Sequence, residues 1–231
     1  MKAGLFMCDH VNKEYQPKFG NYSNMFFDLF PHFEWKYYDV YSGIFPQNLS
    51  ECDVYFATGS KHSVYEDIDW INELKDVVRQ LYHENRYFIG FCFGHQLMAD
   101  ALGGKVGKSP NGWCVGVHDF DIKKREDWMH SYQDHLGLLM MCQDQVLTLP
   151  HGSTVLAKNE ACPVAIMAVG DTFLGIQAHP EFSKSYDKLL IQKRISKMGK
   201  DVAKKGILSL DRPIHNGLLQ NWITKFLTTK M

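Results

Sequence analysis

Apolar residues in the first hundred positions follow two alternating periods, which predict strands and helices in turn. Over residues 69–84 they recur at the i, i+3, i+4 spacing of an amphipathic helix. The predicted strands are Lys2–Cys8, Trp35–Tyr41, Asp53–Ala57 and Tyr87–Phe91, and the predicted helices are Asn21–Phe30, Asp69–Glu84 and Gly94–Leu102. Strands that alternate with helices favour a parallel sheet with helices on both faces.

The pattern changes after Gly104, where short apolar runs follow one another without helices between them. These runs predict the strands Val115–Ile122, Thr154–Leu156, Val164–Val169 and Phe173–Gln177, followed by the helices Ser183–Lys205 and Asn216–Leu227. Strands joined by turns are typical of antiparallel pairing. We therefore expect an α/β three-layer sandwich with a mostly parallel central sheet, antiparallel additions and a C-terminal helical segment, forming a single domain over residues 1–231.

The composition is that of a globular protein. The 231 residues are 45% hydrophobic and 22% charged, which is enough apolar material for a core. No apolar run reaches the roughly 18 residues that span a bilayer, and Cys8-Asp9-His10 interrupts the first apolar stretch where a secretory signal would continue. We expect a cytoplasmic protein without membrane contact.

The six cysteines are spread along the chain without a C-x-x-C pair. This spacing does not favour a zinc site, and a disulfide framework is not expected in a chain of this size without a secretory signal. The sequence therefore predicts free thiols and no metal, so that one thiol is available as a nucleophile.

Charge is distributed unevenly, although the whole chain carries a net charge of only −1. Residues 183–231 contain 11 lysines and arginines against 3 aspartates, whereas residues 1–182 contain 14 basic residues against 23 acidic ones. The near-neutral total argues against a nucleic-acid partner. The preferred interpretation of the basic segment is a solvated face packed on an acidic body; a docking surface and a lid over a substrate pocket are the alternatives.

The motif most indicative of chemistry is Gly90-Phe91-Cys92-Phe93-Gly94-His95-Gln96, which joins a predicted strand to a predicted helix. Glycines two residues on either side of a cysteine are typical of a nucleophile elbow, a turn too tight for side chains at the flanking positions. The turn would place the Cys92 sulfur at a helix N-terminus, which favours the thiolate. The alternative, a buried structural cysteine, does not account for the paired glycines.

A thiolate nucleophile needs a base and a group that orients the base. His179 follows the predicted strand Phe173–Gln177, at the carboxyl edge where parallel sheets hold their active sites. Glu181, two residues further on, can hold the imidazole in one tautomer. These residues make His179 and Glu181 the candidate partners of Cys92.

Acyl transfer also develops an oxyanion, which two preorganised N–H groups can stabilise. The backbone of Phe93 is one candidate donor because it directly follows the nucleophile. The loop Thr58-Gly59-Ser60, at the end of the third predicted strand, is the other. A plain turn is the alternative interpretation of that loop.

The chain resembles the class I glutamine amidotransferases, Cys-His-Glu hydrolase domains that release ammonia from glutamine. The resemblance rests on the Gly90–Gln96 elbow, on Gln177-Ala178-His179-Pro180-Glu181-Phe182, on Thr58-Gly59-Ser60 with Ser63-Val64-Tyr65, and on Leu149–Ala157. It covers roughly residues 50–182, with order and spacing preserved. Within the family, the chain resembles stand-alone members: proteins similar to the amidotransferase part of GMP synthetase, and plant γ-glutamyl peptidases with a similar Thr-Gly-Ser loop.

The resemblance implies a role for each matching residue. Cys92 would be the nucleophile, His179 the general acid and base, and Glu181 the orienting carboxylate. The oxyanion hole would be lined by Gly59, Ser60 and Phe93, and the substrate would be held by Gln96 and Asp144. The resemblance implies no metal and no organic cofactor.

Two positions depart from the family pattern. Ser60-Lys61 stands where the oxyanion loop often continues with a glycine and a proline, and Cys142 stands where a histidine commonly precedes Asp144 by two residues. Both changes affect residues expected to bind the substrate and not the triad. The identity of the acyl substrate therefore does not follow from the resemblance.

The resemblance implies hydrolysis of the glutamine side-chain amide through a γ-glutamyl thioester, with ammonia released or passed to a separate synthase subunit. A stand-alone peptidase or hydrolase acting on a γ-glutamyl small molecule is the first alternative. A catalytically silent binding domain is the second, and the intact Cys92, His179 and Glu181 set argues against it.

Overall fold

A computed structural model of the chain describes residues 1–131 and 133–229. The strands are β1 Lys2–Phe6, β2 Glu34–Tyr38, β3 Val54–Ala57, β4 Tyr87–Phe91, β5 Lys105–Lys108, β6 Cys114–Ile122, β7 His135–Cys142, β8 Asp144–Thr148, β9 Ser153–Lys158, β10 Ile166–Val169 and β11 Phe173–Ile176. The α-helices are α1 Gln16–Phe19, α2 Tyr22–Leu29, α3 Asp69–His83, α4 Phe93–Ala101, α5 Lys184–Lys193, α6 Ile195–Met198, α7 Lys200–Ser209 and α8 Asn216–Thr229.

Within these residues, nine strands form one mixed sheet in the order β2-β1-β3-β4-β11-β10-β9-β6-β7. The strands β2, β1, β3, β4 and β11 pair in parallel, and the strands from β10 to β7 continue the sheet in antiparallel pairs. A separate antiparallel pair joins β5 to β8. The α/β fold with a parallel core and antiparallel additions is as the sequence predicts.

Helices cover both faces of the sheet because successive residues of each strand point to opposite sides. Leu5 packs in a core with helices α2, α5 and α8, whereas the next residue, Phe6, packs in a second core with α3 and α4. Both side chains are fully buried. This arrangement forms the three layers, with the sheet as the central one.

The structure corrects two expectations about elements. The strands β5, β7 and β8 were not predicted; β7 has seven buried residues out of eight and therefore lacks the polar alternation typical of a half-buried strand. The single helix predicted over Ser183–Lys205 is wrong, because α5, α6 and α7 replace it. Gly199, with φ of +85°, separates α6 from α7 in a conformation that favours glycine.

The C-terminal segment packs against the body of the molecule. Trp222 of α8 is buried and its Nε1 donates a hydrogen bond of 2.6 Å to the carbonyl of His130. Asn216 donates to the carbonyl of Pro180 at 2.7 Å, close to the candidate site. Residues 230 and 231 of the predicted basic segment lie outside the described residues. No helix in the described part is long and apolar enough to cross a membrane.

Candidate active site

Cys92 lies at the sharp turn between β4 and α4. Its φ of +47° and ψ of −97° are unusual for a residue with a side chain, and such strain concentrates at functional sites. A side chain at Gly90 would overlap the backbone of Gly94, and one at Gly94 would lie 2.6 Å from the Ala57 carbonyl oxygen. The two glycines therefore permit the close crossing of helix and sheet that the elbow motif predicts.

The structure brings His179 and Glu181 together with Cys92. Nδ1 of His179 lies 2.7 Å from Oε1 of Glu181, and the imidazole is close enough to the Cys92 side chain to interact with it electrostatically. The Phe182 ring stacks on the imidazole with 4.0 Å between ring centroids. The His179 N–H donates to the carbonyl of Leu139 in β7 at 2.9 Å. Carboxylate, stacked ring and backbone thus fix the orientation of the imidazole.

Electrostatics in this cluster favour a charged His179. Burial by itself lowers the pKa of the imidazole, but the negative charges of Cys92 and Glu181, and the hydrogen bonds to both side chains, raise the pKa well above its usual value. The Glu181 side chain is fully buried. An imidazolium held between sulfur and carboxylate is suited to donate a proton to a departing group.

The loop that contains Gly59 lies directly against this cluster. A side chain at Gly59 would come within 2.9 Å of Cε1 of His179 and 3.7 Å of Cβ of Cys92. The Phe93 N–H belongs to the first turn of α4, where backbone donors have no acceptor inside the helix. Gly59 and Phe93, predicted from different parts of the sequence, are therefore both adjacent to the Cys92 side chain.

A buried aspartate holds the same loop in place. Asp9 accepts a hydrogen bond of 3.0 Å from the Lys61 N–H and one of 3.2 Å from its Nζ. The hydroxyl of Thr58, the first residue of the loop, accepts a hydrogen bond of 3.0 Å from the Cys8 N–H. These bonds give the Ser60-Lys61 sequence a fixed conformation without the glycine and proline that are common in the family. Sequence reasoning missed Asp9 because it lies about 50 residues before the loop in the chain.

The predicted substrate-binding residues line a cleft of about 470 Å³ beside Cys92. Gln96 donates to the backbone carbonyl of Asp144 at 2.6 Å and to the Gln177 side chain at 3.1 Å. The Asp144 carboxylate accepts a hydrogen bond of 2.5 Å from the Ser63 hydroxyl. Gln96 and Asp144 are thus positioned together at the cleft, and their role in binding substrate stays a prediction.

The cleft contains residues that the sequence analysis did not identify. They are the basic side chains Lys108, Arg194 and Lys197, together with His62, Trp113, Met141 and Gln143. They belong to segments far apart in the chain and carry no motif. The excess of basic residues in 183–231 was the one relevant observation, and it did not show that two of those residues line the cleft.

All six cysteines are buried, and four of the five other than Cys92 have a raised pKa, which disfavours the nucleophilic thiolate. A hydrogen bond to Cys114, burial, and the negative charges of Cys114 and Cys92 raise the pKa of Cys142 well above its usual value. Burial has the same effect on Cys8 and Cys162. Within the described residues there is also no group of three or more His, Cys, Asp or Glu side chains that could hold a metal.

Comparisons with known proteins agree with this geometry. Residues 49–197 match the family description "Glutamine amidotransferase class-I". The chain is 30% identical to "Gamma-glutamyl peptidase 3" of Arabidopsis thaliana over 96% of each chain. It is 34% identical to the GMP synthase (glutamine-hydrolyzing) of an Azoarcus species over 62% of this chain and 29% of that protein. A glutamine amidotransferase structure from Thermotoga maritima superposes with a TM-score of 0.76 at 17% identity, covering 98% of both chains, and shows the fold.

Proposed function

The chain belongs to the class I glutamine amidotransferase family, and on this basis we propose that it hydrolyses a γ-glutamyl amide bond through a thioester on Cys92. The observation that carries the proposal is the position of Cys92 beside an imidazole whose Nδ1 lies 2.7 Å from Oε1 of Glu181: a carbon added at Gly59 would lie within 4 Å of both Cys92 and His179. An activated thiolate, a proton donor and backbone N–H groups in one place are the requirements of acyl transfer.

The first step forms the acyl-enzyme. The Cys92 sulfur attacks the γ-carbonyl carbon, and a carbon–sulfur bond forms while the carbonyl oxygen takes the negative charge. The N–H groups of Phe93 and of the Gly59 loop stabilise this oxyanion. As the carbon–nitrogen bond breaks, the His179 imidazolium transfers its proton to the leaving nitrogen. The products of this step are the free amine and a γ-glutamyl thioester.

The second step releases glutamate. Neutral His179 takes a proton from a water molecule as the water oxygen attacks the thioester carbon. The carbon–sulfur bond breaks, the sulfur leaves as thiolate, and His179 is again an imidazolium. Glu181 stabilises that charge in both steps, as the orienting carboxylate does in comparable triads. No redox change and no co-reactant other than water is needed.

A γ-glutamyl peptide is the substrate that we favour. The relative matched over 96% of both chains is named a γ-glutamyl peptidase. The cleft of about 470 Å³ is within the range of roughly 300–1,000 Å³ that is common for ligands larger than a single amino acid. The second candidate is a glutaminase that supplies ammonia to a separate synthase, which the similarity to part of a GMP synthase favours.

Glutamate release tests the proposal. Wild-type protein is incubated with γ-glutamylglycine and, in parallel, with glutamine, and free glutamate is followed over time. We expect peptide cleavage, and Cys92→Ala is expected to lower its rate by about 10³-fold or more because the nucleophile is lost. A chloroketone analogue of glutamine is expected to alkylate Cys92 in preference to the other five cysteines, as mapped by mass spectrometry.

Cys52→Ala is the matched control. Cys52 precedes β3 and so lies at the sheet edge opposite the one that carries Cys92. This variant is expected to keep the wild-type rate per folded molecule. Glutamate release from glutamine alone would favour the second candidate. Undiminished cleavage by Cys92→Ala, or no release from either compound by the wild type, would reject the thioester mechanism.

A further inference from the structure

Two basic residues of the C-terminal segment face the cleft that contains Cys92. Arg194 lies between α5 and α6, Lys197 lies in α6, and both line the cleft. They are contributed by the segment that carries most of the excess positive charge of the chain, whereas residues 1–182 are acidic overall. The segment therefore does more than cover the core, because it contributes two cations to the lining of the cleft that contains Cys92.

Neither cation is in direct contact with a carboxylate, although the charge of Arg194 acts on the buried carboxyl of Asp187. No ion pair within 4.0 Å involves Arg194 or Lys197 anywhere in residues 1–131 and 133–229. Lys61, also in the cleft, differs because Asp9 and the Tyr41 hydroxyl already bind its Nζ. Like charges that converge without a counter-ion repel one another, and an anionic ligand relieves the repulsion.

A second pair of charges in the cleft suits the γ-glutamyl group itself. Lys108 in β5 and Asp144 in β8 are direct partners across the antiparallel pair, yet they form no ion pair with one another. A γ-glutamyl group carries an ammonium and a carboxylate on its α-carbon. The Asp144 carboxylate can bind that ammonium, and the Lys108 ammonium can bind that carboxylate. Once Lys108 and Asp144 bind the γ-glutamyl group, Arg194 and Lys197 are available to bind a second anionic group.

Resting on the proposed function, we infer that Arg194 and Lys197 form a subsite for the carboxylate of the leaving amine. The enzyme then prefers γ-glutamyl peptides with a free C-terminal carboxylate over the same peptides with a C-terminal amide, and over glutamine, whose leaving group is ammonia. Arginine binds a carboxylate through two parallel N–H donors, which makes the preference directional.

Binding to the Cys92→Ala protein tests the subsite without catalysis. Three ligands are compared by calorimetry: γ-glutamylglycine, its C-terminal glycinamide, and γ-glutamylglycine with the α-carboxylate converted to an amide. We expect the free acid to bind about tenfold more tightly than the glycinamide, the size typical of one charged hydrogen bond. Adding Arg194→Gln or Lys197→Gln is expected to remove most of this difference by weakening the binding of the free acid and not that of the glycinamide.

The third ligand identifies which carboxylate Arg194 binds. If Arg194 binds the leaving group, Arg194→Gln weakens the α-amide ligand by the same factor as γ-glutamylglycine. If the effect of Arg194→Gln disappears with the α-amide ligand, Arg194 binds the γ-glutamyl carboxylate and the inference is overturned. Equal affinities for the acid and the glycinamide would overturn it as well.

Lys204→Gln is the control for general electrostatics. Lys204 is exposed on α7 and is not among the residues that line the cleft. Its substitution removes the same charge from the same segment. This variant is expected to leave the affinities for all three ligands unchanged. An effect as large as that of Lys197→Gln would mean that the positive charge of the segment acts at long range, and would overturn the subsite. Failure of the wild type to cleave both peptides and glutamine would reject the proposed function, while the binding ratios still decide the subsite.

Discussion

Asp187, in the first turn of the C-terminal helix α5, is a fully buried acid whose carboxyl interacts with the imidazole of the candidate site. Neither of its oxygens has a hydrogen-bond partner of good geometry among the described residues. Burial raises its pKa to about 7, although His179, Arg194, the Gly116 backbone and His118 all act to lower it. An acid in such surroundings loses its proton only at a cost to the folded state.

This cost makes stability depend on pH. Because the pKa of Asp187 is about 7 when folded and 3.8 when unfolded, its contribution is fully present below about pH 4 and is lost as the pH rises through 7. Asp187→Asn removes the titration. The free energy of unfolding of this variant relative to wild type is expected to rise between pH 4 and pH 8 by on the order of 2–4 kcal/mol.

Urea denaturation at several pH values measures the effect. Asp201→Asn, at an exposed position of α7, is the matched control. Its free energy of unfolding is expected to differ from that of wild type by the same amount at every pH. A constant difference between Asp187→Asn and wild type across this range would show that Asp187 does not titrate with the raised pKa.

At the scale of single residues, the sequence predicted the candidates that a local motif marks. Cys92, Gly90 and Gly94 lie within five positions, and His179 and Glu181 are two apart. Their assembly at one place is seen in the structure; their catalytic roles stay a prediction. Asp187 could not be predicted, because burial of a polar residue depends on what the rest of the chain places around it.

At the scale of elements, the junction of β4 with α4 depends on how closely the helix crosses the sheet. A side chain at Gly90 would overlap the carbonyl of Gly94 and lie 2.7 Å from the His95 nitrogen. Both neighbours are backbone atoms, which cannot move aside as the end of a flexible side chain can. The elbow therefore tolerates no added atom at Gly90.

Gly90→Ala is expected to lower the free energy of unfolding by about 3 kcal/mol or more, because overlap with backbone is costlier than ordinary overpacking of a core. Urea denaturation measures this loss, and an absence of folded protein agrees with it. Gly217→Ala, in α8 with no atom within 4 Å of the added carbon, is expected to stabilise by up to about 1 kcal/mol through helix propensity. A loss below about 0.5 kcal/mol for Gly90→Ala would mean that the crossing is not tight.

The elements that could be predicted are those with a clear period or a clear boundary. The strand Tyr87–Phe91 has the predicted bounds, and α3 ends one residue before the predicted position. The strand β7 was missed because a continuous apolar run has no period to distinguish strand from buried helix. The breaks around α6 were missed because the apolar pattern continues across them, while Gly199 reverses the backbone.

At the scale of the whole molecule, the C-terminal helices complete a core shared with the sheet. Phe226 of α8 makes edge contacts with Tyr87 of β4 and Trp128, at centroid distances of 5.8 and 5.3 Å. Leu219, Trp222 and the other buried residues of α8 belong to the same core as β1 and β3. Helix and sheet are therefore expected to unfold together, as the single-domain prediction requires.

Trp222→Ala tests that prediction. The substitution removes a side chain that is only 1% exposed and the hydrogen bond to His130, so the free energy of unfolding is expected to fall by about 3–5 kcal/mol. If the chain is one cooperative unit, unfolding followed by far-ultraviolet circular dichroism and by reaction of the Cys92 thiol shifts to lower urea with one common midpoint. Leu208→Ala, at a position 62% exposed, is expected to change little. Separate midpoints, with helix lost before the site opens, would instead assign residues 183–229 to a unit of their own, and a subsite built from Arg194 and Lys197 would then depend on the docking of that unit.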